Sequence, residues 1–430
     1  MSYGGRLTAD AGASAGLVEV RRHNLALVLA HLRSSGARSR ATIAAETGLT
    51  RSTVSSLVAE LAERGLVAEG ATARGGVGRP SQPVDLDGAH FFTVGAEVDL
   101  DHLAVTALDV RAEVVAERWV PLDAGALRAT AVLGRLAGLV GEVTAQLRRS
   151  GRELVGITLA VPGLVEQPTG RVLSAPNLGW ADIDVVDVVR GLLDEPACPL
   201  LIDNEANLAA RAEVSTGDRV GVRDLVLLTG GIGVGAGVVA GGHLLRGVHG
   251  FAGEVGHMQL DPGGQPCGCG RRGCWETQVG LNALLAAAAD EGDAVRDPAL
   301  DVRRRLETLA ARAEDGDART LEALERTAGW LGAGAGVLVN LFNPELLVLG
   351  GYFAVLGRWL ADPVAAALPA RVFAPRSGGC RVEPSTLGYS AAARGGALEA
   401  LSRIFADPTA VAVRSSPPTR PAPVPSGAPA

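Results

Sequence analysis

His257, Cys267, Cys269 and Cys274 gather four metal-capable side chains within eighteen residues. The run reads Glu254-Val-Gly-His257, then Cys267-Gly-Cys269-Gly-Arg-Arg-Gly273-Cys274-Trp-Glu276. Three thiolates and one imidazole complete a tetrahedral Zn²⁺ site with no open position for water, and a closed site of that kind is structural. Two carboxylates, Glu254 and Glu276, bracket the cluster. They place it beside something polar, or they serve as hydrogen-bond partners of the ligands themselves.

The elements around this knot come from a skewed composition. The chain has 430 residues, which suggests two or three domains. Aromatics make up only 3% against 57 glycines, yet mean hydropathy is +0.22. The cores must therefore be Ala, Val and Leu joined by tight turns. Lysine is absent, which reads as base-composition bias. Residues 1–84 hold ten Arg against six Asp and Glu, a net of +4, while the remainder carries −11. A basic head on an acidic body predicts that only the head meets a polyanion. Five cysteines, three of them clustered, fit metal ligation in a reducing cytoplasm better than a disulfide framework. Cys198 and Cys380 read as plain thiols. No stretch is long enough to span a membrane, and the short apolar run after Arg21-Arg22 lacks a signal-peptide cleavage site.

The head, 17–86, follows a flexible 1–16. Leu17 to Arg33 has helical apolar spacing, and Ser39 to Glu46 forms a short helix closed by Gly48. A third helix opens at Thr50, an N-cap, with Leu49 and Val54 as a hydrophobic staple. Val54, Leu57, Val58 and Leu61 make one apolar stripe. Ser52, Ser56 and Ala59 lie opposite, flanked by Thr53 and Ser55, with Arg51 at the first turn. Two short helices around a glycine turn describe a helix-turn-helix. On its own the pattern also fits an ordinary small helical domain. The following strand, Gly65–Ala68, and the extended segment Arg74-Gly-Gly-Val-Gly-Arg79-Pro-Ser favour a wing whose arginines enter a minor groove of double-stranded DNA. Direct base readout falls mostly to Arg51, and the hydroxyls contact phosphates.

In the body, apolar strands alternate with helices, and glycines follow the strands, which predicts an α/β fold with ligand loops at strand ends. The run Gly230–Gly237 suits either a phosphate-cradling loop or a tight hairpin between Val226 and Val239. From about residue 90 to 404 the chain resembles the ROK family of repressors, open reading frames and sugar kinases. The resemblance runs through Val161-Pro-Gly-Leu-Val, Ser174-Ala-Pro-Asn177-Leu-Gly-Trp180, Asp203-Asn204-Glu205-Ala-Asn207, the Gly230–Gly237 loop, Glu254-Val-Gly-His257, the cysteine motif to Glu276, and Asn343-Pro-Glu-Leu-Leu-Val-Leu-Gly-Gly351. It implies a two-lobed actin/hexokinase-like body over 88–404, with one lobe at about 88–200 plus 386–404 and the other at about 201–385. It also implies zinc at His257, Cys267, Cys269 and Cys274, and a sugar held by Asn177, Asn204, Glu205, Glu254, His257 and Glu276. Amides and carboxylates suit that job, because leaving them unpaired rejects the wrong epimer. His257 can ligate with one ring nitrogen and donate to a sugar hydroxyl with the other. Read alone, Asn177 after Pro176 is equally a turn residue.

The chain departs from the family's kinases at one loop. They carry Asp-x-Gly-Gly-Thr in the first hairpin, where this chain has Glu97-Val-Asp99-Leu100-Asp101. Side chains replace the phosphate-admitting glycines. Each added carboxylate at 4 Å from a phosphate charge would cost about 4 kcal/mol at an effective dielectric near 20. The kinases' catalytic Asp aligns with Glu205, one methylene longer, and a misplacement of about 1 Å can cost ~10²-fold in rate. The expectation is a sugar-responsive DNA-binding regulator, a homodimer or homotetramer without kinase activity. The competing readings are a bifunctional kinase and a module for a sugar phosphate or a partner protein. Residues 405–430, rich in Pro, Ala and Ser, read as a disordered tail.

Overall fold

The computed structural model describes residues 10–70, 82–195, 197–374 and 379–414. The chain divides into two compact units. The first contains residues up to Phe91 together with those from Ser402 onward, and the second runs from Phe92 to Leu401.

The first unit is a winged helix-turn-helix. Helix α1 spans Asp10–Ser35, α2 Arg40–Thr47 and α3 Arg51–Glu63. Ser39 and Thr50 cap α2 and α3 with side-chain oxygens, and Gly48 ends α2 in the left-handed conformation at φ 73°. The predicted stripe Val54, Leu57, Val58 and Leu61 is buried against Leu25, Val28, Leu29 and Leu32 of α1 and Ile43 of α2. A short strand, β1 (Arg38–Ser39), pairs with β3 (Pro83–Leu86), which pairs in turn with β2 (Val67–Glu69), both antiparallel. The β2–β3 pair is the wing. Its intervening arginines, Arg74 and Arg79, lie outside the described residues.

Three expected boundaries shift. Helix α1 starts at Asp10, so residues 10–16 are helical. Of the tail expected over 405–430, residues 405–414 are structured: Val411 is buried, the Arg414 N–H donates to the Glu63 carbonyl at 3.0 Å, and the Arg64 guanidinium donates to the Thr409 and Val411 carbonyls; 415–430 lie outside the described residues. Proline and alanine there hide a short 3₁₀ turn, Pro408–Ala410, that caps the head. The strand expected at 65–68 starts at Val67, since Gly65 takes φ 73° to turn out of α3.

The second unit holds two five-stranded sheets. The first has the order β11-β7-β4-β5-β6. It comprises β4 (Phe91–Val98), β5 (His102–Asp109), β6 (Val114–Pro121), β7 (Glu153–Val161) and β11 (Leu200–Asn204). Helix α4 (Ala129–Arg149) buries Val132, Leu133, Leu136 and Val140 against it, as its 3.6-residue apolar spacing dictates. A small sheet of β8 (Leu164–Glu166), β9 (Arg171–Ala175) and β10 (Trp180–Ile183) follows, then α5 (Val185–Leu192).

The second sheet has the order β14-β13-β12-β15-β16. Its strands are β12 (Leu225–Gly230), β13 (Val234–Ala240), β14 (His243–Leu244), β15 (Leu346–Gly351) and β16 (Arg381–Pro384). Its helices include α6 (Glu205–Ser215), α7 (Glu276–Val279), α8 (Leu281–Ala288), α9 (Val302–Glu314), α10 (Ala318–Phe342), α11 (Tyr352–Val355) and α12 (Gly357–Ala367). The last helix, α13, spans Ala391–Ala406. Residues of α6 and α13 share one buried cluster with β7, β12 and β15, so the two helices form a layer between the sheets. Because β11 pairs in parallel with β7, Leu200–Asn204 belong to the first sheet. The Gly230–Gly237 run is a hairpin, with Val226 opposite Val238 and Leu225 opposite Val239. Gly237 is required there, since a Cβ would fall 2.4 Å from the Ala206 carbonyl oxygen of α6. Among the described residues no helix is long and apolar enough to cross a membrane.

Candidate functional site

A cavity of about 600 Å³ opens in the second unit. It collects the ends of β7, β11 and β12, the β4–β5 hairpin and the cysteine loop. Asn177, Asn204, Glu205, Glu254, His257 and Glu276 all line it.

Each arrives by a local rule. Asn177 sits in the 3₁₀ turn Pro176–Leu178, exposed toward the cavity. Asn204 is the N-cap of α6: its Oδ1 accepts from the Ala206 and Asn207 N–H groups at 2.9 and 3.2 Å. Its amide donates to the Gly163 carbonyl at 3.2 Å, which fixes the plane and leaves a second amide hydrogen for a ligand. Glu205 opens α6, and its Oε2 is buried without a partner. Burial, then the charges of Asp99 and Glu254, raise its pKa well above the ordinary value. Burial also raises Glu254, with Glu276 adding to the effect and His257 opposing it.

The cysteine loop is folded by its backbone. The Cys267 N–H donates to Arg271 O and the Gly273 N–H to Gln265 O, both at 2.8 Å. Gly273 takes φ 67°, and a Cβ there would fall 1.5 Å from the Asp261 carbonyl oxygen, so only glycine closes the loop. The ligand atoms of His257, Cys267, Cys269 and Cys274 all lie within 4.8 Å of one another. The Cys269–Cys274 sulfur pair and the Cys267 Sγ–His257 Nδ1 pair are each 3.6 Å apart. A tetrahedron with metal–sulfur arms of ~2.3 Å has edges of about 3.8 Å, so the donor set fits a closed tetrahedral ion. Glu276 touches this set, with Oε1 at 2.8 Å from Cys267 Sγ and 3.6 Å from His257 Nδ1. Trp275, fully buried, donates from Nε1 to the Trp330 carbonyl at 2.9 Å and pins the loop to α10.

The β4–β5 hairpin forms the opposite wall. Glu97 and Asp99 line the cavity, and Asp99 faces the glycine hairpin: a Cβ on Gly231 would lie 4.0 Å from Asp99 Oδ2. Leu100 also lines the cavity while packing on the first sheet's core. Sequence reasoning read this segment as lost glycines and added carboxylates, and missed His102, which is buried beneath it. It also missed Arg271 in the lining, which no pattern marks.

In the first unit, Thr50, Arg51, Ser52 and Ser56 are exposed, whereas Thr53 and Ser55 are half-buried. The Thr50 hydroxyl is engaged in the cap, accepting from the Thr53 N–H at 3.2 Å. Ser56 accepts from Arg21 of α1 at 3.3 Å, so it faces its own domain as well as solvent.

Comparison with known proteins follows this division. The ROK family profile matches residues 94–402, and the MarR family profile matches residues 26–76. The xylose repressor of Bacillus subtilis is 28% identical over 376 residues, which cover 87% of this chain and 94% of that protein. A glucokinase of Halalkalibacterium halodurans is 32% identical over 313 residues, covering 70% of this chain and 93% of the enzyme. The crystal structure of a ROK family transcriptional regulator, a homologue of the Escherichia coli MLC protein, shares the fold. Its TM-score is 0.72 at 23% identity, with 90% of this chain and 97% of that chain covered.

Proposed function

The chain belongs to the ROK family, and from that premise we propose that it is a sugar-responsive transcriptional repressor of carbohydrate-use genes. The observation that carries this is a winged helix-turn-helix on the same chain as a ROK body whose phosphate loop is rebuilt with carboxylates. Relatives named as repressors match over both parts.

The sugar lies in the 600 Å³ cavity. Asn177, Asn204, Glu205, Glu254, His257 and Glu276 bind its hydroxyls. Among the described residues of the lining, the acids Glu97, Asp99, Glu205, Glu213, Glu254 and Glu276 outnumber the one arginine, Arg271, which favours a neutral sugar over a sugar phosphate. The ion in the cysteine loop is Zn²⁺. Bound there, it supplies a rigid closed node with no catalytic position. His257, whose Nδ1 lies 3.6 Å from Cys267 Sγ, would hold the ion with one ring nitrogen and leave the other for a sugar hydroxyl.

Two features oppose phosphoryl transfer. Asp99 faces the glycine hairpin, 4.0 Å from a Cβ built on Gly231, in the segment that matches the kinases' phosphate-admitting glycines. Glu205, at the family's base position, has its carboxyl held toward the protonated form. A sugar affinity differing ~100-fold between two body conformations would supply about 2.7 kcal/mol to shift operator occupancy. The chain acts in the cytoplasm as a homodimer or homotetramer on a two-fold operator.

The experiment has two arms on the purified full chain. A thermal-shift panel of hexoses, pentoses and N-acetyl amino sugars should find at least one stabilising sugar. The same sugars with ATP and Mg²⁺ should yield no phosphosugar. Phosphorylation abolished by Glu205→Ala would establish the kinase reading instead.

A further inference from the structure

A second group of ligand-type side chains sits outside the cysteine loop. One ligand atom from each of Glu97, Asp99 and His102 lies within 4.8 Å of the other two. Glu97 and His102 are buried, and Glu97 and Asp99 open onto the cavity wall opposite the cysteines.

His102 is arranged as a ligand would be. Its Nδ1 contacts Asp101 Oδ1 at 2.7 Å. A carboxylate on one ring nitrogen orients the ring as it does behind metal-bound histidines, and an ion at the other nitrogen would displace the proton that the surrounding carboxylates otherwise favour there. That other nitrogen, Nε2, is buried with no hydrogen-bond partner, and it faces Glu97 Oε1 at 3.8 Å. The ring cannot easily turn away. It stacks on Trp119 with centroids 3.6 Å apart and planes 16° apart, and Tyr389 meets it edge-on at 6.0 Å. The stack follows from the ladder: His102 is opposite Pro121 and Ala104 is opposite Trp119, which makes His102 and Trp119 diagonal neighbours on β5 and β6.

Nearby cations are committed elsewhere. Arg305 donates to the Val295 carbonyl at 2.8 Å, and Arg303 pairs with Asp301 while lying over the Trp119 ring. Glu97 and Asp99 therefore share one pocket with the unpartnered imidazole nitrogen; the Ala393 N–H donates to Glu97 Oε2 at 3.1 Å and the Leu100 N–H to Asp99 Oδ1 at 2.6 Å, which leaves the second oxygen of each carboxylate for an ion.

We propose that Glu97, Asp99 and His102 form a second metal site, for a divalent transition ion of the Mn²⁺, Fe²⁺ or Zn²⁺ type. Oxygen and imidazole donors without sulfur select this class against the thiolate-rich loop, and the imidazole argues against Mg²⁺ and Ca²⁺. The site shares a wall with the proposed sugar cavity, and the titration below is run without sugar or DNA, so its failure is distinguishable from failure of the regulatory reading.

The test uses the full chain, with zinc content measured first and Mn²⁺ then titrated while free Mn²⁺ is followed by electron paramagnetic resonance. Thiolate sites bind Mn²⁺ weakly, so they stay silent. The expected result is one saturable Mn²⁺ per chain, with nitrogen modulation in the pulsed signal. Affinity should fall at least tenfold in His102→Gln and in Asp99→Asn, and the cysteine-site zinc should remain at one per chain. A preparation that already carries two zinc ions per chain, falling to one in both variants, supports the site equally. Asp99 is only half-buried, so Asp99→Asn keeps the test decisive if His102→Gln misfolds. Absence of saturable Mn²⁺ binding with a single zinc per chain, or undiminished binding in Asp99→Asn, overturns the proposal.

Discussion

Glu205→Gln should stabilise the sugar-free protein and weaken its sugar binding. The Glu205 carboxyl has a buried, unpartnered Oε2, and burial beside Asp99 and Glu254 raises its pKa well above 4.5. In the unfolded chain the same group ionises at its ordinary value, so between the two pKa values folding takes up a proton. Its stability contribution is fully present below pH 4.5 and is lost as pH rises through the raised folded value. The slope in that window is at most about 1.4 kcal/mol per pH unit. Glutamine keeps the shape and does not titrate. The variant's advantage should therefore grow with pH, by up to about 2.7 kcal/mol from pH 5 to 7. The assay is urea unfolding followed by tryptophan fluorescence. All five tryptophans, Trp119, Trp180, Trp275, Trp330 and Trp359, lie in the second unit, so the signal reports that unit alone. Losing the carboxyl's hydrogen bonds to a sugar should cost about 1–3 kcal/mol, roughly five- to 150-fold in affinity. A difference that does not vary with pH, or unchanged sugar affinity, would refute the reasoning.

Three other substitutions or treatments probe separate parts. Chelating the cysteine-site ion should abolish sugar binding and alter Trp275 fluorescence, because the loop that carries Glu276 is braced there; equal affinity in the stripped protein, measured by calorimetry, would contradict this. Gly273→Ala puts a Cβ 1.5 Å from a carbonyl oxygen at φ 67°. It should destabilise by about 2–4 kcal/mol from overpacking and left-handed strain, and lower zinc per chain by elemental analysis. Arg51→Ala should weaken operator binding and reduce the slope of log K against log salt by about 1, read by fluorescence anisotropy, with sugar affinity unchanged.

Much of the architecture is local in origin and so is written in the chain. The caps Ser39 and Thr50, the Gly48 stop and the Val54–Leu61 stripe are short-range signals, and the helices follow them. The cysteine spacing is likewise local, and the four ligand atoms converge. What escaped is non-local. Residues from 405 onward read as a disordered tail by composition, yet Val411 is buried, with its carbonyl accepting from Arg64, and the Arg414 N–H donates to the Glu63 carbonyl, both more than 340 positions away. The Glu97–Asp101 segment reads as repulsive until the β5–β6 register brings Trp119 over His102. Arg271 faces the cavity because two bridges fold its loop back, Gln259 with Cys274 and Pro266 with Arg272.

The most direct measurement is a titration of the full chain on its own upstream DNA, with and without each sugar that raises its melting temperature. The predicted result is a change of at least tenfold in operator Kd, about 1.4 kcal/mol, with at least one sugar, and loss of that response in Glu254→Gln without loss of DNA binding. Operator affinity that no binding sugar alters would contradict a sugar-responsive repressor.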